Sequence, residues 1–84
     1  MPVQLTVDIP ESAFSVFKDD AARFIAEMRI AAAVKWFETG QLSQSKAAEI
    51  AGLSREAFLD ALHRYGVSPF QLTTGELEKE LRYD

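Results

Sequence analysis

The sequence predicts a mainly α fold: an N-terminal β-strand followed by helices, two of which form a helix-turn-helix. Three observations carry this expectation. The stretch "VQLTVDI", residues 3–9, alternates apolar and polar residues strictly, the period-2 pattern of a half-buried strand. The stretch "AARFIAEMRIAAAVKWFET", residues 21–39, is apolar on most sides, as befits a central helix covered by more than one neighbour. In "LSQSKAAEIAGLSREAFLDALHRYG", residues 42–66, Ser43 and Ser54 stand where two short helices would start, and Gly52 and Gly66 where they would stop.

In the strand, Val3, Leu5, Val7 and Ile9 face one way and Gln4, Thr6 and Asp8 the other. Pro10 ends it and opens a short helix, with Glu11 near the positive helix end. Ala13, Phe14, Val16 and Phe17 are expected on the buried side of that helix. Asp19 or Asp20 caps a longer helix reaching Thr39. Its main buried stripe is expected at Ala21, Phe24, Ile25, Met28, Ala32 and Trp36, widened by Ile30, Ala33, Val34 and Phe37. Gly40 follows at the place of a left-handed cap.

The helix from Ser43 to Ala51 carries Ala47, Ala48 and Ala51, the small residues that closely crossing helices need. Gly52 supplies the positive φ of the turn, and Leu53 returns the chain to the core. In the helix from Ser54 to Tyr65, the expected buried stripe is Ala57, Phe58, Ala61, Leu62 and Tyr65. Arg55, Glu56, Leu59, Asp60, His63 and Arg64 then face outward. Pro69 blocks a helix after Gly66. Thr73 and Glu76 have capping-box spacing, with Leu72 and Leu77 as a hydrophobic staple, so a terminal helix is expected over residues 74–82. The chain thus reads as a single domain, 1–84. Residues 1–40 serve dimerisation, 41–66 form the helix-turn-helix, and 67–84 make an acidic C-terminal tail.

Size argues for a second subunit. A chain of 84 residues is near the lower limit of self-sufficient cores and gains stability from disulfides, metal or oligomerisation. It has no cysteine, which removes disulfides and disfavours a zinc site. Six Phe and 48% hydrophobic residues are too many for a disordered chain. The predicted strand also needs a partner, since no convincing second strand exists. Pairing with the same strand of another copy makes a ribbon through Val3, Leu5, Val7 and Ile9, laid over both central helices. This order of elements resembles the ribbon-helix-helix dimers. The outward Gln4, Thr6 and Asp8 include no Lys or Arg, so dimerisation rather than base reading is expected of the ribbon.

The helix-turn-helix suggests promoter DNA as a ligand. Ser54 and Arg55 begin its second helix, where base edges are usually contacted, and Arg can hold guanine through two hydrogen bonds. Gln44, Ser45 and Lys46 begin the first helix and are placed to hold phosphates. Leu59 and His63 continue the outward face. Against this, Lys46, Arg55 and Arg64 are balanced by Glu49, Glu56 and Asp60, within a chain of net charge -4. Non-specific affinity comes mainly from neutralising phosphates. A monomer should therefore bind DNA poorly, while a dimer, alone or with a basic partner, should bind well. The alternative is a protein-interaction module in which the two helices are scaffold only.

The tail sets Lys79 and Arg82 against Glu76, Glu78, Glu80 and Asp84. Phe70 and Leu72, then Leu77 and Leu81 flanked by Glu76 and Glu80, make an apolar element with anionic sides. A basic groove on another protein would accept it; the alternative is that the stripe docks on the chain's own core. No enzyme is expected. His63 and Asp60 are too few to hold a metal, and no phosphate loop, activated serine or paired catalytic carboxylates occur. No cofactor is expected either. The longest apolar run, Ile30 to Val34, is far short of the roughly 20 residues of a spanning helix. "MPVQLTVDIP" lacks the basic and apolar regions of a signal peptide. A cytoplasmic protein with no membrane partner is the expectation.

The succession "LTVDIPE", then "EMRIAAAVKWFETGQLSQSKAAEIAGLSREAFLDALHRYGVSPFQ", then an acidic tail resembles a family of small prokaryotic proteins. That family is of the uncharacterised type, with antitoxin-like helix-turn-helix members. The resemblance covers nearly the whole chain, and "AAVKWFETGQLSQSKAAEIAGLSR" carries most of its specificity. It implies a strand-helix-helix start, a helix-turn-helix, and pairing with a neighbouring toxin gene, whose product by this analogy is a PIN-type ribonuclease. The expected function is an antitoxin-like transcriptional regulator: a homodimer that binds its own promoter and masks a cognate toxin with its C-terminal segment. A small repressor without a toxin is a further alternative.

Overall fold

Side-chain oxygens start the three longer helices, and glycines end them. The computed structural model describes residues 2–17 and 20–70. These contain α1 (Glu11–Phe14), a 3-10 turn (Ser15–Phe17), α2 (Ala21–Glu38), α3 (Gln44–Ala51) and α4 (Arg55–Arg64). Asp20 accepts from the Arg23 N–H at 3.0 Å, Ser43 from Lys46 at 3.2 Å, and Ser54 from Ala57 at 3.1 Å. Each satisfies a helix donor otherwise left bare, worth about 1 kcal/mol. Of the two candidate caps for α2, Asp20 serves. Beyond each C-terminus lies a glycine in the left-handed region: Gly40, Gly52 and Gly66, at φ 82°, 71° and 67°. The N–H of the following residue then reaches back into the last turn: Gln41 to Trp36 (2.8 Å), Leu53 to Ala48 (3.0 Å), Val67 to Leu62 (2.9 Å). This closure supplies partners for end carbonyls that the helix itself leaves unbonded.

One core joins the C-terminal half of α2 to the helix-turn-helix. It consists of Ala33, Val34 and Phe37 from α2, Ala47, Ala48 and Ala51 from α3, and Phe58, Ala61 and Leu62 from α4. The three alanines of α3 let its backbone approach the neighbours, and the space beside them is filled by Phe37 and Phe58. Those rings meet edge to face, centroids 5.9 Å apart, a geometry aromatic quadrupoles favour. Ile30, Leu42, Ile50, Leu53 and Val67 border the cluster. A second, smaller cluster lies at the other end of α2. Phe14 and Phe17 both meet Phe24 in T-shaped contacts, centroids 5.5 and 4.9 Å apart, and so fasten α1 and the 3-10 turn.

Several expectations are corrected. The main stripe of α2 is not Ile25, Met28 and Trp36, which are 52%, 38% and 41% exposed; the side formed by Ala33, Val34 and Phe37 is buried instead. A helix apolar nearly all round gives its neighbours a choice of face, and period alone does not make that choice. Ala13, Val16, Ala21 and Tyr65 are also exposed rather than buried. Tyr65 follows the last residue of α4, where the chain turns away through Gly66.

Residues 2–10 form no strand, and no strand occurs among the described residues. Val3, Leu5 and Val7 are 81%, 84% and 60% exposed, while Ile9 is half-buried. The physical reason is that a strand exists through hydrogen bonds to a neighbour, and the described part of one chain contains no neighbour for this one. The described residues are therefore mainly helical, and the alternating segment is without regular structure and largely exposed. The expected terminal helix over residues 74–82, with Glu76, Leu77, Glu80 and Leu81, lies outside the described residues, as does Leu72 before it. No described helix is long and apolar enough to cross a membrane.

Candidate nucleic-acid interface

The turn between α3 and α4 is held from outside the motif. Arg29 of α2 donates through Nε to the Ile50 carbonyl at 2.8 Å, and its Nη2 lies 3.5 Å from the Glu49 carbonyl. A guanidinium at the negative end of α3 satisfies carbonyls the helix leaves open and complements its dipole. The packing here is close: a Cβ added to Gly52 would stand 3.1–3.2 Å from the guanidinium atoms. Gly52 is thus favoured twice, by its φ of 71° and by the close approach of Arg29. The helix pair is fixed against α2 at its turn, leaving the N-termini of α3 and α4 outward.

At those N-termini the structure brings two of the expected residues into contact. Arg55 Nε donates to Gln44 Oε1 at 2.8 Å, and Gln44 Nε2 donates to the Pro69 carbonyl at 3.3 Å. Arginine can only donate and a carbonyl only accept, so the two partners settle which way the Gln44 amide points. Gln44 therefore bridges the start of α4 to the segment that follows it. The amide is neutral, so it orients Arg55 without cancelling its charge. Ser54 precedes Arg55 and accepts from the Ala57 N–H, which occupies its oxygen as a cap but leaves its hydroxyl proton available.

The remaining expected residues are arranged around this pair. Ser45 and Lys46 are exposed on the first turn of α3. Lys46 pairs with Glu49 at 3.2 Å, both side chains largely in solvent. Such an exposed pair contributes at most about 1 kcal/mol, so it is easily exchanged for another anion. Leu59 is 38% exposed and His63 is exposed, following Arg55 down α4 at four-residue intervals. Phe70, the last described residue, is 78% exposed. Two participants have no sign in the sequence: Arg29, whose contact spans 21 residues, and the Pro69 carbonyl, 25 residues from Gln44.

The arrangement offers two helix N-termini, one cation held by a neutral amide, and a second cation in a weak exposed pair. That chemistry suits an anionic ligand contacted by a few directed groups rather than by a broad basic surface. Among the described residues, no three His, Asp or Glu side chains gather as a metal site would require. The sequence model of the uncharacterised protein family UPF0175 matches residues 1–83. No curated protein and no solved structure matches the chain.

Proposed function

The chain belongs to the uncharacterised protein family UPF0175, and for this member we propose an antitoxin-like role: a homodimeric DNA-binding regulator that neutralises a toxin through its C-terminal segment. The observation that carries the DNA-binding part is Arg55 at the first turn of α4, oriented by Gln44 across 11 residues. A directed guanidinium at a recognition-helix N-terminus is what bidentate reading of guanine uses. Lys46 holds phosphate in this reading, with Ser45, Ser54, Leu59 and His63 completing the contacted face.

Dimerisation through Val3, Leu5, Val7 and Ile9 is supported by the exposure of the first three. The exposed Ile25, Met28 and Trp36 of α2 provide apolar surface for the paired segments to cover. The toxin-binding role of the tail is supported by its composition, and Phe70 leads into it from the foot of α4. The charge balance of α3 and α4 favours a second reading, in which this pair docks a protein and never meets DNA.

Gel shifts against the protein's own upstream region separate the two. Arg55→Ala should cost about 1–3 kcal/mol of affinity and relax sequence preference. Lys46→Ala should weaken all sequences alike and lower the salt slope by about 0.9. No shift at low salt, with or without the product of the adjacent reading frame, leaves the protein-docking reading.

A further inference from the structure

The segment that the described part of the single chain leaves unpaired is symmetric in kind about its centre. Residues 2–10 read Pro, Val, Gln, Leu, Thr, Val, Asp, Ile, Pro. On either side of Thr6 the order is apolar, polar, apolar, proline. Val3, Leu5, Val7 and Thr6 are all exposed. We propose that two copies of the chain pair these residues antiparallel in one register, with Thr6 opposite the partner's Thr6. This rests on the homodimer reading above and adds to it the register and the two-fold axis.

Four observations select that register. The apolar faces of two antiparallel copies coincide only when the axis passes through a residue, because side chains alternate with period 2. An axis at Thr6 sets Val3 opposite the partner's Ile9 and Leu5 opposite the partner's Val7, so all four apolar residues of each copy are matched. An axis at Leu5 leaves Ile9 facing beyond the segment, and one at Val7 leaves Val3 so. An axis at Asp8 sets two carboxylates against each other, which is destabilising. With the axis at Thr6, Asp8 faces the amide of the partner's Gln4, which donates to it.

The prolines complete the pattern. Pro2 and Pro10 stand equally far from Thr6 and so lie opposite each other at both ends of the ribbon. Proline has no N–H and is tolerated where the ladder asks for none. Pairs alternate between hydrogen-bonded and non-hydrogen-bonded, so the proline pairs, the Gln4–Asp8 pairs and the Thr6 pair share one class. That class is the non-hydrogen-bonded one, with opposed Cα atoms about 4.5 Å apart.

This distance lies within disulfide reach, and the chain has no cysteine of its own. Single variants Gln4→Cys, Leu5→Cys, Thr6→Cys, Val7→Cys and Asp8→Cys are exposed to oxidised glutathione, which takes up the two electrons and two protons of each thiol pair. Their masses are compared by light scattering under reducing conditions and by non-reducing gels. The expected result is a crosslinked dimer from Thr6→Cys alone. In addition, a mixture of Gln4→Cys and Asp8→Cys should crosslink, although neither does so by itself. Crosslinking of any other single variant in place of Thr6→Cys overturns the register and leaves the dimer standing. Dimeric mass without any crosslink overturns pairing through this segment. Monomeric mass for the unmodified chain overturns the homodimer reading, and the register with it.

Discussion

Gly52 and Gly66 offer a direct measure of what Arg29 contributes to the turn. Both have positive φ, 71° and 67°, but a Cβ at Gly66 meets nothing within 4 Å, whereas at Gly52 it stands 3.1–3.2 Å from the Arg29 guanidinium. Gly66→Ala should therefore carry the left-handed penalty alone, about 1–2 kcal/mol, partly offset by about 0.4–1 kcal/mol from a less flexible unfolded chain. Gly52→Ala carries the same terms and must also displace the guanidinium by a few tenths of an ångström, which strains its 2.8 Å bond to the Ile50 carbonyl. Arg29 is exposed, so even complete loss of that bond costs no more than about 1 kcal/mol, below the figure for a buried charge. Urea melts followed by circular dichroism should show Gly66→Ala losing about 0.5–1.5 kcal/mol and Gly52→Ala up to about 1 kcal/mol more. For a chain of this size each kcal/mol of extra loss corresponds to about 4–8 °C in melting temperature. In an Arg29→Ala background the difference between the two variants should vanish. Equal losses in the parent protein, or a difference that survives Arg29→Ala, would refute the claim that Arg29 holds the turn.

Three further outcomes are expected, the first from the core and the other two from the proposed function. Phe58 is 0% exposed and set edge-on to Phe37, so Phe58→Ala should cost about 3–5 kcal/mol; the thermal melt should lose most of its cooperativity. Gln44→Glu replaces the neutral partner of Arg55 with a carboxylate, and the resulting ion pair should weaken DNA binding about as much as Arg55→Ala, by roughly 1–3 kcal/mol; gel shifts unchanged by Gln44→Glu would remove Arg55 from the interface. Truncation belongs after Phe70 rather than after Gly66, because Val67 borders the core and its N–H closes α4 on Leu62; the shortened chain should keep its helical dichroism and lose toxin neutralisation in a growth assay.

The features legible in the sequence are those set by neighbours a few residues away. Ser43 and Ser54 cap the helices they precede, Gly52 and Gly66 follow the helices they close, and Pro10 opens α1. Capping and left-handed closure depend on bonds within one turn, so residue type and spacing suffice to predict them. The buried side of α4 at Phe58, Ala61 and Leu62 was legible too, because polar residues other than Leu59 occupy its other side and leave one apolar stripe. On α2 that contrast is missing. Its apolar residues surround the axis, and only the docking of α3 and α4 decides that Ala33, Val34 and Phe37 go inside while Ile25, Met28 and Trp36 stay near solvent.

The same division runs through the candidate interface. The sequence by itself determined which residues begin α3 and α4, and hence that Gln44, Ser45, Lys46, Ser54 and Arg55 lie at helix N-termini. Only the tertiary structure decided that Gln44 orients Arg55, that it reaches the Pro69 carbonyl, and that Arg29 holds the turn from α2. Those bonds join residues 11 to 25 positions apart, and their partners meet because the Phe37–Phe58 core sets the three helices at one mutual orientation. The alternating N-terminal segment marks the opposite limit. Its pattern specifies which face would be buried, but a strand needs a second backbone to bond to, and the described part of a single chain offers none.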